Sequence, residues 1–430
     1  MASLLISKHK LVDGYIIFSL FLVPSSFLGL ISFRFFYIPG LFDLRLLSWL
    51  LALPLLFIYW RSLPEISNNF SGKLLIFVAL FVLVRFIISF FQGISFREAF
   101  TVFRMGFNTP ISCLAFLCFF YSADIDRIER IFKWGFIFFT LNLVLYFLNY
   151  SGLGIYDNIK DINEETIGGI TITRNLTGIP IYFSVFFILS VYYSLNKLRF
   201  RFIFITLFSL FVVFISATRS FIVSNLIILS FIILFYTIKT KAGYLKKVLA
   251  FLFIILFFSL IILNYKSDVY QFLKLKFEST INTELKENKG TYAFRKRLIE
   301  ESIVANKSTN SVFFGKGYVR SGKKGSYDFV LGGDTLLAPV IYCEGYSGLV
   351  IRIFPIFYFI MFALKYRSTL GFSQFLSISI FSLIISSIIG YVQTTIFYNY
   401  IDFILFIYIA ERYLSNQGEN VLEYDYATIP

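Results

Sequence analysis

Histidine is almost missing: His9 is the only one in 430 residues. Cysteine is nearly as scarce, with Cys113, Cys118 and Cys343 alone. His9 lies near the N-terminus, on the side read below as cytoplasmic, so no His–carboxylate triad or His-based metal site is expected on the outer side. Cys113 and Cys118 share one apolar run, so a disulfide framework is not indicated. Charge is thin as well, at 15% of residues against 58% hydrophobic. No GxxxxGK[ST] phosphate loop occurs, which removes the commonest signature of ATP-driven chemistry. A mean hydropathy of +0.77 excludes an ordinary soluble enzyme or nucleic-acid binder.

What the chain does have is length of apolar sequence. Runs of about 20 residues, each enough to cross a bilayer, recur from end to end. We place spans near 12–33, 41–60, 73–92, 99–121, 134–150, 176–195, 202–217, 220–238, 248–264, 347–364, 372–391 and 394–412. The first follows Lys8 and Lys10 without a small-residue cleavage site and reads as an uncleaved span. The expected fold is therefore an all-α polytopic bundle of about twelve helices. Its organisation is spans 1–9 in residues 1–264, a large extracytoplasmic loop at 265–335, spans 10–12 in 336–412, and a polar tail at 413–430.

The formal charge of +14 bears on orientation. One set of alternate short loops holds 17 Lys and Arg; the other holds five, Arg34, Arg97, Lys160, Arg174 and Arg219. The positive-inside rule then puts both termini in the cytoplasm. The 265–335 loop contains a predicted amphipathic helix near Tyr292–Ala305, followed by Gly-rich segments at 315–317, 322–325 and 332–333.

Four arginines fall inside predicted spans: Arg45, Arg85, Arg104 and Arg352. Burying each costs about 2.5–3.5 kcal/mol even on the lenient insertion scale. All four lie roughly 6–11 Å below the outer surface at 1.5 Å per residue. Two accounts fit: each side chain snorkels to the outer headgroups, or together they line a basic chamber suited to a lipid-linked diphosphate. Arg219, in the short outer turn SATRS (216–220), is either a turn residue or an anion ligand held between two helix ends. Arginines with a few carboxylates suit displacement of a diphosphate by a hydroxyl. The arginines stabilise departing charge, and a carboxylate accepts the nucleophile's proton.

Several segments resemble the bacterial O-antigen and capsular repeat-unit polymerases, within the superfamily that includes the O-antigen ligases. They are TRNLTGIPIYF (173–183), SATRS (216–220), YAFRKRLIEESI (292–303), FFGKGY (313–318) and GGDTLLAPVIYCEGYSGLV (332–350). The resemblance implies a fold similar to the C-type membrane glycosyltransferases. It implies en bloc transfer of a glycan from undecaprenyl diphosphate to another lipid-linked repeat unit, at the outer face of the bacterial inner membrane. O-antigen, lipopolysaccharide or capsule biosynthesis is the setting it suggests.

By the same resemblance, Arg174 and Arg219 bind diphosphate, with Arg219 also counted as catalytic. Arg295 or Arg297 binds sugar or diphosphate. Asp334 stands where the ligases carry histidine, which favours a polymerase and makes Asp334 the candidate general base; a helix N-cap is its plain alternative. Arg85, Arg104, Arg352, Tyr318 and Glu344 complete the candidate substrate-binding set, with Glu344 either orienting the helix beside Asp334 or forming an interfacial salt bridge. Gly315 and Gly317 are expected to serve backbone geometry. No metal site and no cofactor are expected. The partners implied are the lipid-linked donor and acceptor, the bilayer and a chain-length regulator, with no nucleic acid. An O-antigen ligase and a lipid-linked oligosaccharide flippase are the rival readings.

Overall fold

The computed structural model describes residues 2–19, 48–148, 162–175, 183–197, 199–216, 219–234, 268–279, 291–318 and 337–366, with a few isolated residues besides. Predicted spans 372–391 and 394–412, the tail, Arg45 and Asp334 lie outside that set, as does nearly all of 248–264. The described part is predominantly helical. Two of its helices, over Phe70–Phe91 and Asp126–Leu148, are long and apolar enough to cross a membrane.

Helix α1 is Ala2–Ile17, α2 is Ser48–Ile58 and α3 is Leu63–Asn68. Pro64 opens α3 in its first turn, where a missing N–H costs nothing. Asn69 is extended and separates α3 from α4, Phe70–Phe91. On α4 the residues Leu74, Leu75, Val78, Val82, Arg85 and Ser89 form a buried stripe. Phe77, Leu80, Val84, Ile87 and Phe91 form an exposed one on the other side. Gly72 sits at the α3–α4 corner, where any Cβ would overlap the Ile66 carbonyl. Gly72→Ala is therefore expected to cost about 1–3 kcal/mol, read as a lower melting temperature of the detergent-purified protein.

Helix α5, Phe96–Ser122, folds back along α4 after a turn at Gly93 (φ 77). Gly106 faces Val82, and Phe103 stacks on Phe86 at 4.4 Å between ring centres. Helix α6, Ile125–Leu148, starts nine residues before the predicted span at 134, so part of the expected inner loop is helical. There Asp13 of α1 accepts hydrogen bonds from Nε (3.0 Å) and Nη2 (2.5 Å) of Arg127, and Arg130 comes within 3.6 Å.

Helices α7 (Phe183–Lys197) and α8 (Phe200–Ile215) pack as a hairpin with a polar seam. Thr206 Oγ1 lies 3.1 Å from Ser194 Oγ and donates to Ser190 Oγ at 3.0 Å; all three residues are fully buried. Thr206→Val keeps the shape and removes the hydroxyl, with an expected loss of about 0.6–1.7 kcal/mol. The same melting assay reads it. Helix α9 follows at Arg219–Phe231.

The all-α expectation misses one element. Strands β1 (Ile162–Ile167) and β2 (Ile170–Asn175) form an antiparallel hairpin in what reads as a plain outer loop. Gly168 (φ 60) and Gly169 (φ 82) make its two-residue turn, the conformation that L-residues resist and glycine accepts. Helix α10, Asp268–Ser279, packs against the hairpin, and Leu275 closes over Gly168. Two segments separated by about ninety residues of sequence are thus one packed unit.

Candidate functional site

Helix α11 runs Thr291–Ser308, close to the amphipathic helix expected at 292–305. It ends at Asn310, whose φ of 53 is left-handed, a state that asparagine tolerates better than most residues. The chain then turns through Phe313, Phe314, Gly315, Lys316 and Gly317 to the buried Tyr318. Helix α12 spans Leu337–Tyr366 but is broken at Gly345, with φ 65 and ψ −159. It begins ten residues before the predicted span at 347.

The break and the turn complete each other. In an unbroken helix the Tyr342 and Cys343 carbonyls would accept the N–H groups of Tyr346 and Ser347. Here Lys316 N–H donates to the Tyr342 carbonyl at 2.8 Å, and Gly317 N–H to the Cys343 carbonyl at 3.0 Å. Tyr346 N–H donates instead to the Val312 carbonyl and Ser347 N–H to that of Phe313, both at 3.0 Å. The hydrogen bonds lost to the kink are exchanged one for one with the loop, so these buried backbone groups are satisfied. Close approach demands glycine on both sides. A Cβ on Gly315 would come 2.5 Å from Gly345 N, and one on Gly345 would come 2.5 Å from Gly315 N. Asn306 of α11 adds a bond from Nδ2 to the Ile341 carbonyl at 2.5 Å.

Helix α4 reaches this junction from the side with Arg85 and Ser89 on one face and Gln92 just past its end. Arg85 Nη2 donates to the Cys343 carbonyl at 2.6 Å. Ser89 Oγ donates to the Arg85 carbonyl (2.7 Å) and accepts from Tyr318 N–H (2.9 Å). Gln92 Nε2 donates to the Gly315 carbonyl at 2.9 Å. Tyr318 Oη donates to Glu344 Oε1 at 3.1 Å. Beside them Lys316 lies over the Tyr342 ring at 5.5 Å, and burial lowers its pKa.

Three of the expected site residues, Arg85, Tyr318 and Glu344, therefore meet in one buried cluster. At 1% exposure, Arg85 does not snorkel. Glu344 serves as acceptor for Tyr318. Arg297 faces solvent on α11, 3.5 Å from Glu301 one turn on. For the others the backbone alone is described: Arg174 on β2 opposite Asn163, Arg219 at the first position of α9, Arg104 on α5, Arg295 on α11 and Arg352 on α12. A shared arginine chamber is thus neither assembled nor dispersed by the described side chains. Sequence reasoning passed over Ser89, Gln92, Asn306 and Gly345. The spacing of Arg85, Ser89 and Gln92, four and then three residues apart in an apolar span, was a readable signal for the first two. Among the described residues no group of three or more His, Cys, Asp or Glu could hold a metal ion.

Fold and junction together define a chain whose described part is predominantly helical, with two helices long and apolar enough to cross a membrane and a loop bolted onto a kinked helix. Compared with family models, curated proteins and solved structures, the chain matches none.

Proposed function

We propose that this protein is a membrane glycosyltransferase of about twelve spans. In this reading it polymerises polyprenyl-diphosphate-linked oligosaccharide repeat units at the outer face of the bacterial inner membrane, with both termini in the cytoplasm. A hydroxyl of the acceptor sugar attacks the anomeric carbon of the donor. The bond from that carbon to the diphosphate oxygen breaks, and polyprenyl diphosphate leaves. Asp334 takes the hydroxyl proton. Arg174 and Arg219 neutralise charge gathering on the leaving group, where preorganised donors act most strongly. Arg295 or Arg297 holds the sugar end.

The observation that carries this reading is the docking of FFGKGY (313–318) onto CEGYSG (343–348). These are two of the segments on which the resemblance to repeat-unit polymerases rests. A purely conductive bundle has no need of a large outer segment fastened so tightly to its helices.

The test is a deletion strain in which lipid-linked intermediates are located. Single repeat units accumulating on the outer face are the expected result. Accumulation on the inner face would mean a flippase, and finished polymer left on its lipid carrier would mean a ligase.

A further inference from the structure

Arg85, Tyr318 and Glu344 are all at least 95% buried, and Arg85 precedes the other two by more than 225 residues of sequence. We infer that they are positioning residues, a buried latch that fixes α11 and the kinked start of α12 to the outer end of α4. They do not themselves bind substrate. Its catalytic consequence rests on the polymerase reading; its structural content does not.

The argument starts from the kink. A helix broken at Gly345 has lost the two main-chain bonds that would hold its first turns in line, so those turns are free to pivot. The loop restores both bonds, and side chains from α4 then lock loop and helix together. Arg85 adds a second donor to the Cys343 carbonyl, which Gly317 N–H also uses. Ser89 joins the Arg85 backbone to Tyr318 N–H, and Tyr318 returns through its hydroxyl to Glu344. The circuit Arg85–Ser89–Tyr318–Glu344–Cys343 closes on itself and touches α4, the loop and α12.

Arg85 cannot take a phosphate as it stands: at 1% exposure, with one nitrogen on a carbonyl, reaching an anion would require opening the latch. What the latch holds is α11, the helix of Arg295 and Arg297. Its last turn is tied to α12 by Asn306, and α11 packs against α12. In the polymerase reading one of those two arginines meets the sugar, so the angle set at the kink sets where the acceptor lies against the donor.

Cys343, buried at the centre of the latch, is a natural probe, and Cys113 and Cys118, buried on α5, are internal controls. Full-length protein in membrane vesicles is treated with a maleimide, and the three cysteine peptides are followed by mass spectrometry. Tyr318→Phe keeps the ring and removes the hydroxyl. It is expected to speed modification of Cys343 about tenfold, the scale of one hydrogen bond to an ionised group, without changing Cys113 or Cys118. In polymerisation by the purified variant, kcat is expected to fall while KM for the donor holds. The double variant Arg85→Gln, Glu344→Gln leaves no lone buried charge and is expected to behave alike; it decides the matter if Tyr318→Phe exposes all three thiols.

Unchanged Cys343 reactivity in both variants overturns the latch. Faster modification with full kcat overturns its role in the reaction. Loss of kcat with Cys343 still protected places Tyr318 on the substrate and also overturns the inference. If the wild-type protein fails to polymerise at all, the functional reading falls, and the thiol kinetics alone decide the latch.

Discussion

Gly345→Ala is expected to cost about 2–6 kcal/mol and to remove most of the folded protein. The backbone at Gly345, φ 65 and ψ −159, lies in a region open essentially to glycine alone; an L-residue there costs roughly 1–3 kcal/mol. The added methyl would also sit 2.5 Å from both Gly315 N and the Phe313 carbonyl oxygen. The Phe313 carbonyl already accepts from Ser347 N–H across the junction, and Gly315 N–H already donates to the Ser311 carbonyl, so neither yields cheaply. Forced overpacking adds about 1–3 kcal/mol, a large share of the 5–15 kcal/mol typical of folded proteins. Gly14 is the control, because none of the described residues lies within 4 Å of its Cβ position. Gly14→Ala should melt like the wild type, while Gly345→Ala should be recovered poorly from membranes and melt early. Equal melting of the two variants would mean that the break in α12 is not the structure of this protein.

Arg219→Ala is expected to leave insertion and yield unchanged and to reduce polymerisation by about 100-fold or more, the loss typical when a preorganised donor to a developing anion is removed. Arg219 is the first residue of α9, and only three residues separate it from the end of α8 at Ile215. A turn residue without a ligand needs no guanidinium, and its replacement by alanine would then be silent. Arg174→Ala, on β2, should behave likewise, because the hairpin that carries it is held by α10 and by its own main-chain pairing. Each variant is read by the length of glycan on the lipid carrier in cells. Normal chain lengths in both would remove the diphosphate-binding assignments.

The helical stretches were legible because apolar runs of twenty residues leave little choice in a bilayer. α4 begins three residues before its predicted span and ends one residue short of it, and α11 extends the expected amphipathic helix by one residue at its start and three at its end. The hairpin was also written in the sequence, since Thr-Ile-Gly-Gly-Ile-Thr (166–171) sets β-branched residues around a two-glycine turn. It was passed over because hydropathy windows discard so short and polar a segment. The junction was less legible. Gly315 and Gly317 announced unusual backbone, but nothing local says that they answer a break at Gly345 nearly thirty residues later. Arg85 showed that a charge was buried, and its spacing to Ser89 and Gln92 showed on which face. That its partner would be a carbonyl freed by a helix kink is a tertiary fact, visible only once the two segments meet.

The central claim is tested most directly by giving purified protein a defined polyprenyl-diphosphate-linked repeat unit, in the presence of a metal chelator, and resolving the glycans by size. The account predicts a ladder of lengthening chains, with one polyprenyl diphosphate released for each unit joined. Intact starting material with no ladder, whether or not the substrate has crossed the bilayer, would contradict it.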